Sequence, residues 1–254
     1  MPGRLDGTAA LVTGASSGIG EATGLALAAE GAAVALVARR GDRLRGLAAE
    51  IERGGGKAMA IEADITDPSA PAAVVAQAVD RYGRLDTVVN NAGIMLLGPI
   101  VDAPTQEWAT MLDLNVAALM NVTHAALPHL LEAATLAPRE VADVVNVSSV
   151  AGRRVAAGGG IYQATKHAVG AFSEALRQEV ADRHVRVSLV EPGAVATELM
   201  SHVREEVREH ARQRFAGVER LEAEDIADAI AYVVTRRRRV AVNELLVRPT
   251  EQVA

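Results

Sequence analysis

Short apolar runs alternate with longer amphipathic ones along this chain. Strand-like apolar runs fall near 8–13, 32–38, 57–63, 85–90, 141–148, 185–191 and 243–248. The first of them, Ala9-Ala10-Leu11-Val12, has no polar alternation, as in a strand buried on both faces. Helical patterns fall between them, near 18–30, 42–53, 68–82, 105–132, 160–183, 198–214 and 222–234. Strands separated by helices imply parallel pairing and right-handed crossovers. The pattern predicts an α/β protein: a doubly wound, seven-stranded parallel sheet with helices on both faces. A ligand crevice is expected at the carboxyl ends of its strands. No internal repeat or linker interrupts residues 1–254, so one domain is expected. Residues 133–140 read as a surface loop before the fifth strand.

Composition sharpens this picture. Half of the 254 residues are apolar, yet only 2% are aromatic. The core must be built from Ala, Val, Leu and Ile, which suits buried parallel strands. A net charge of −6 argues against a nucleic-acid partner. No apolar run approaches the roughly 18 residues of a membrane span, and Met1–Asp6 carries no apolar signal region. A cytoplasmic location is the expectation. There is no cysteine, hence no disulfide and no thiolate chemistry. The six histidines form no ligand-spaced cluster, so no metal is expected.

Two motifs carry chemistry. Near the N-terminus the first strand runs into Thr13-Gly14-Ala15-Ser16-Ser17-Gly18-Ile19-Gly20, and a helix follows. Strand, glycine turn and helix form the context of a dinucleotide-binding turn. Gly14 permits the tight turn, Gly18 lets backbone approach a pyrophosphate, and Gly20 lets helix pack on strand. Free N–H groups at the helix start then face phosphate. Gly14, Ser16, Ser17, Gly18, Ile19 and Gly20 are the candidate contacts; a plain tight turn is the alternative. The second motif is Tyr162-x-x-x-Lys166, with Ser149 thirteen residues upstream. Residues four apart on a helix share a face, with Cβ atoms roughly 5–6 Å apart. An ammonium that close favours phenolate over a phenol whose ordinary pKa is ~10. Ser149 adds a hydroxyl to hold a substrate oxygen. Together they suit proton transfer to or from an alcohol or carbonyl oxygen, although an exposed tyrosine beside a solvated lysine has the same spacing.

These motifs occur in order with Asn90-Asn91-Ala92-Gly93, Asn115 and Pro192-Gly193. The chain resembles the ~250-residue branch of the short-chain dehydrogenase/reductase family across essentially its whole length. Four stretches are similar to NADP-dependent clavulanic acid dehydrogenase and the 3-hydroxy acid dehydrogenase subgroup. They are residues 90–99, 162–166, 176–180 and 248–252.

The resemblance implies a single Rossmann domain, an NADP cofactor and a set of roles. Ser149 orients the substrate oxygen, Tyr162 exchanges its proton, and Lys166 lowers the Tyr162 pKa and holds the nicotinamide ribose. Asn115 binds a water that links Lys166 to solvent. Asp64 and Ile65 flank the adenine. Asn91, Ala92 and Gly93 pass beneath the ribose. Pro192, Gly193, Val195 and Thr197 close over the nicotinamide. The family position for an NAD-selecting carboxylate is Ala38 here, and Arg39 and Arg40 follow. A guanidinium donates parallel hydrogen bonds to a 2′-phosphate, which favours NADP; two solvated arginines opening a helix are the alternative.

Met95, Leu96 and Val155–Gly160 are substrate-side candidates. So is the charged segment 198–217, which covers the substrate in the family and otherwise reads as a solvated helix. Arg236–Arg239 suit a solvated helix end. The family is usually dimeric or tetrameric through helices like those at 105–132 and 160–183, so a homotetramer is expected. The reading is thus an NADP(H)-dependent oxidoreductase acting on an aldehyde, ketone or alcohol of a small molecule. A 3-oxoacyl thioester reductase and a non-catalytic NADP-binding sensor are the alternatives.

Overall fold

The structure, a computed structural model, describes residues 3–205, 207, 208 and 217–253. Seven strands form one parallel sheet in the order β3-β2-β1-β4-β5-β6-β7. They are β1 (Ala9–Thr13), β2 (Ala33–Ala38), β3 (Lys57–Glu62), β4 (Thr87–Asn90), β5 (Ala142–Val147), β6 (Val185–Pro192) and β7 (Glu244–Val247). The fold is a single-domain α/β Rossmann fold, as the apolar pattern predicts. The strand order reverses between β1 and β4, which opens the crevice for a ligand there.

The helices are α1 (Gly18–Ala29), α2 (Gly41–Arg53), α3 (Ala70–Tyr82), α4 (Thr105–Leu112), α5 (Leu119–Ala133), α6 (Gly160–Val180) and α7 (Ala223–Val234). Local chemistry sets several boundaries. Pro71 sits in the first turn of α3, and Gly83 ends that helix at φ 74°. Glu222 and Asp225 exchange side-chain and backbone hydrogen bonds that start α7.

Adjacent residues on a strand point to opposite faces, so each strand feeds two cores. Val12, Leu36 and Val145 pack with Leu27, Leu44, Ile226 and Ile230 on the face of α1, α2 and α7. Leu11, Val37 and Val144 pack with Val75, Leu130 and Leu176 on the face of α3, α5 and α6. The predicted helix at 105–132 is carried by α4 and α5, joined through a π-turn at Asp113–Ala118. The predicted helix at 198–214 is different. Its described start is a 3-10 turn, Glu198–His202, followed by extended backbone at the buried Val203. Residues 205, 207 and 208 are helical, and residues 206 and 209–214 of that prediction lie outside the described residues.

A charge network closes the amino end of the sheet. Arg186 donates to both Asp143 oxygens at 2.7 and 2.9 Å, and Arg139 adds a third contact at 3.0 Å. Arg186 also donates to the carbonyls of Val234, Arg236, Arg237 and Val240. The Arg236–Arg239 run is therefore more than a solvated helix end: its backbone caps a buried guanidinium. Among the described residues no helix is long and apolar enough to cross a membrane.

Candidate active site

A cavity of about 1080 Å³ lies at the carboxyl ends of the strands. Its walls collect most of the residues singled out in the sequence. Gly14, Ser16, Ser17, Gly18 and Ile19 contribute from the turn after β1. Arg39 and Arg40 contribute after β2, Asp64 and Ile65 after β3, and Asn91, Ala92, Gly93 and Met95 after β4. Ser149, Tyr162 and Lys166, with Pro192, Gly193, Val195 and Thr197, complete the other end.

The glycine turn has no room for side chains. Gly14 has φ 68°, and a Cβ there would lie 2.8 Å from Ala92 Cα. Gly18 has φ 53°, and its Cβ would meet Thr197 Cγ2 at 3.0 Å. Both conformations favour glycine. Gly20 does not line the cavity; it lets α1 pack against the end of β1, where a Cβ would stand 2.3 Å from the Gly14 carbonyl oxygen. Thr13 fastens the neighbouring strand end: its hydroxyl accepts from the Asn91 and Ala92 N–H groups at 3.0 and 3.1 Å.

Arg40 is held by hydrogen bonds although it remains partly exposed. Its Nε donates to Ser16 Oγ at 3.0 Å and one terminal nitrogen donates to Ser17 Oγ at 2.6 Å. The other terminal nitrogen pairs with Glu198 at 2.7 Å. Arg39 stays exposed at the rim. Asp64 accepts from the Thr66 hydroxyl and backbone N–H, which hold its carboxyl below its ordinary range.

The acid–base group is built where β5 meets α6. Ser149 follows β5 and caps a 3-10 turn, accepting from Ala151 N–H at 3.1 Å. Ser148 points the other way and donates to the Lys166 carbonyl at 3.2 Å. Tyr162 and Lys166 lie on α6 and are both buried. Burial pushes the Tyr162 phenol up to about 12, and its interaction with Ser149 only partly opposes this. Burial pulls Lys166 down to about 8. Tyr162 is thus raised rather than lowered, with no contribution from Lys166. The ammonium points at the Val147 carbonyl, 2.9 Å away, and sits 5.8 Å from the centre of the Tyr162 ring. Burial disfavours the charged phenolate and the charged ammonium alike.

Asn115 lies in the π-turn, a feature frequent at functional sites. Its side-chain oxygen accepts from Ile94 N–H at 2.8 Å, and its amide donates to the Ile94 carbonyl at 2.9 Å and to Thr165 at 3.2 Å. The side chain is thus committed to holding the chain after β4, with Gly93 packed against it. It does not line the cavity. Leu96 likewise lies off the wall, its N–H donating to Met111 Sδ at 3.4 Å; Leu97 lines the cavity instead.

Several contributors are not among the individual residues singled out in the sequence. Gln252 reaches back from the C-terminal tail, where its Oε1 accepts from Ala194 N–H at 2.9 Å. Leu114, Leu199 and Met200 join Met95, Leu97 and Val155 as apolar lining around the Ser149–Tyr162 end. Thr197 caps the turn that carries Met200, accepting from Leu199 N–H at 3.4 Å.

The family profile described as short chain dehydrogenase matches residues 8–208. Glycine betaine reductase ATRR of Emericella nidulans is 37% identical over 252 residues, which is 98% of this chain and 19% of that protein. The chain thus spans about a fifth of that relative's length. Serine 3-dehydrogenase of Rhizobium radiobacter is 35% identical over 243 residues, 95% of this chain and 94% of that one. The closed form of serine dehydrogenase complexed with NADP+ is similar at a TM-score of 0.88 and 31% identity, over 97% of each chain.

Proposed function

The chain belongs to the short-chain dehydrogenase family, and we propose that it is an NADP(H)-dependent oxidoreductase that interconverts a small aldehyde or ketone with its alcohol. One observation carries this reading. A single cavity holds Ser149 with the buried Tyr162 and Lys166 at one end and Arg40, pinned to the glycine turn, at the other. The residues present fit a dinucleotide. Gly14 and Gly18 leave a cradle that side chains would fill, and the guanidinium at Arg40 matches a 2′-phosphate. Gly14, Ser16, Ser17, Gly18 and Ile19 hold the pyrophosphate. Asp64 and Ile65 border the adenine. Asn91, Ala92 and Gly93 border the ribose, and Pro192, Gly193, Val195 and Thr197 enclose the nicotinamide.

NADPH held by these residues would supply a hydride to the carbonyl carbon. Ser149 orients the carbonyl oxygen, and Tyr162 donates its phenolic proton to that oxygen as the hydride arrives. The raised Tyr162 pKa keeps the phenol protonated at neutral pH, as a proton donor requires. Lys166 stabilises the phenolate left behind and holds the ribose. Asn115 positions Gly93 and Ile94 by its side chain. The reverse sequence oxidises the alcohol, with Tyr162 taking the proton back.

Met95, Leu97, Leu114, Val155 and Met200 form an apolar pocket for the substrate. The functional unit is residues 1–254 as one catalytic domain, assembled as a cytoplasmic homo-oligomer of two or four chains. The resemblance read in residues 90–99, 162–166, 176–180 and 248–252 to clavulanic acid dehydrogenase and 3-hydroxy acid dehydrogenases is part of this proposal of a reductase of small carbonyl compounds. A thioester reductase that docks an acidic carrier needs a basic surface beside the cavity. The Arg236–Arg239 run lies at the amino end of the sheet, away from the cavity.

The test is NADPH and NADH oxidation against a panel of aldehydes, ketones and β-keto acids. NADPH-dependent turnover is expected, reduced about 10²–10⁴-fold in Tyr162→Phe. Full turnover in Tyr162→Phe would overturn the assignment of the proton donor. Binding of NADPH without turnover on any carbonyl would favour the sensor.

A further inference from the structure

We propose that Glu198 is a positioning residue for cofactor discrimination, holding Arg40 in the orientation that receives the 2′-phosphate and tying the start of the substrate-covering segment to the adenosine end of the groove. This rests on the NADP(H) reading above. Glu198 bridges two arginines of the α2 region. Its Oε2 accepts from Arg40 at 2.7 Å and its Oε1 from Arg43 at 2.8 Å. Those arginines hold its carboxyl down to about 2, Arg43 contributing most, so it is an anion throughout the neutral range.

The consequence for Arg40 is geometric. An arginine carries five N–H donors. Ser16, Ser17 and Glu198 each take one, from three different nitrogens. The guanidinium is thereby fixed in position and plane. One N–H remains on each terminal nitrogen. Glu198 therefore leaves two donors of Arg40 available for a phosphate. Arg39, beside it, makes no side-chain hydrogen bond or ion pair among the described residues, which leaves a second cation for the same phosphate.

The position of Glu198 links both ends of the groove. It follows Thr197, whose methyl carbon stands over Gly18, and it opens the Glu198–His202 turn that brings Leu199 and Met200 to the cavity. The three partners are 41–47% exposed. Exposed ion pairs add little to overall stability. Their value here is in orientation, and the effect belongs in cofactor affinity rather than in folding.

The experiment measures the Kd of NADPH and of NADH by fluorescence titration for wild type, Glu198→Gln, Arg40→Ala and the double variant. Glu198→Gln is expected to weaken NADPH about 3- to 10-fold and to leave NADH within about twofold. In the Arg40→Ala background the same change is expected to have no further effect on NADPH. Equal losses for both nucleotides would mark a merely structural role and overturn the proposal. Tighter NADPH binding would make Glu198 a competitor of the phosphate and overturn it too. A wild type that prefers NADPH, with that preference intact in Glu198→Gln, overturns this inference alone. A wild type without the preference overturns the NADP(H) reading and this inference with it.

Discussion

Burial acts on Tyr162 and Lys166 in opposite directions, because the phenol is ordinarily neutral and the ammonium ordinarily charged. Desolvation disfavours the charged form of each. It raises Tyr162 to about 12 and lowers Lys166 to about 8. The second shift has a consequence for stability. Between about pH 8 and 10.5 the unfolded chain, with its lysine at the ordinary 10.5, binds more protons at this site than the folded chain. Stability therefore rises with pH through that window, the cost of a buried ammonium being relieved as it loses its proton. Tyr162 acts in the opposite sense only above its ordinary 10.0. Urea denaturation at pH 7.5 and 9.5 is expected to show a gain in wild type that shrinks in Lys166→Met. An equal gain in both proteins would mean that Lys166 is not desolvated. The helical spacing of Tyr162 and Lys166 is legible in the sequence. The sign of the tyrosine shift is not, because spacing says nothing of what surrounds a side chain.

The turn joining β1 to α1 shows how an element enforces its own sequence. Gly14 must hold φ 68° while Ala92 passes against it. Gly14→Ala is expected to destabilise the protein by about 1–3 kcal/mol, since a strained backbone and a close contact arise together. NADPH affinity should fall with it. Thermal unfolding and nucleotide titration check both; a variant as stable as wild type would mean that the turn relaxes without cost. Elements with strong local signals were legible. The seven apolar runs became seven strands, and the glycine turn sits where its motif places it. The segment after β6 was less so. Its amphipathic pattern reads as a helix from residue 198, yet it opens as a 3-10 turn capped by Thr197 and breaks at buried Val203. Periodicity does not register a short turn whose shape is set by the groove it borders.

At the scale of the whole molecule, the two ends of the sheet divide the labour. The carboxyl ends carry the cavity, and the amino ends carry the Asp143–Arg186 network. Arg186→Met would leave Asp143 with Arg139 alone and remove the donor to four carbonyls. Breaking a buried pair by deleting one partner costs about 3–5 kcal/mol. Chemical denaturation is expected to show a loss of that order, with NADPH binding retained below the transition. A loss under about 1 kcal/mol would mean that water replaces the guanidinium.

The apolar periodicity and the absence of aromatic bulk by themselves determined a doubly wound parallel sheet, because strands of Ala, Val and Leu separated by helices have few other ways to bury both faces. The motifs likewise determined which residue types meet at the carboxyl ends. Tertiary structure decided the partners. It brought Glu198 to Arg40 across 158 positions and Gln252 to Ala194 across 58. It spent the Asn115 amide on Ile94, and chose Leu97 over Leu96 for the cavity wall. Such contacts depend on where distant loops come to lie around a shared groove, and a local pattern of residues carries no record of that distance.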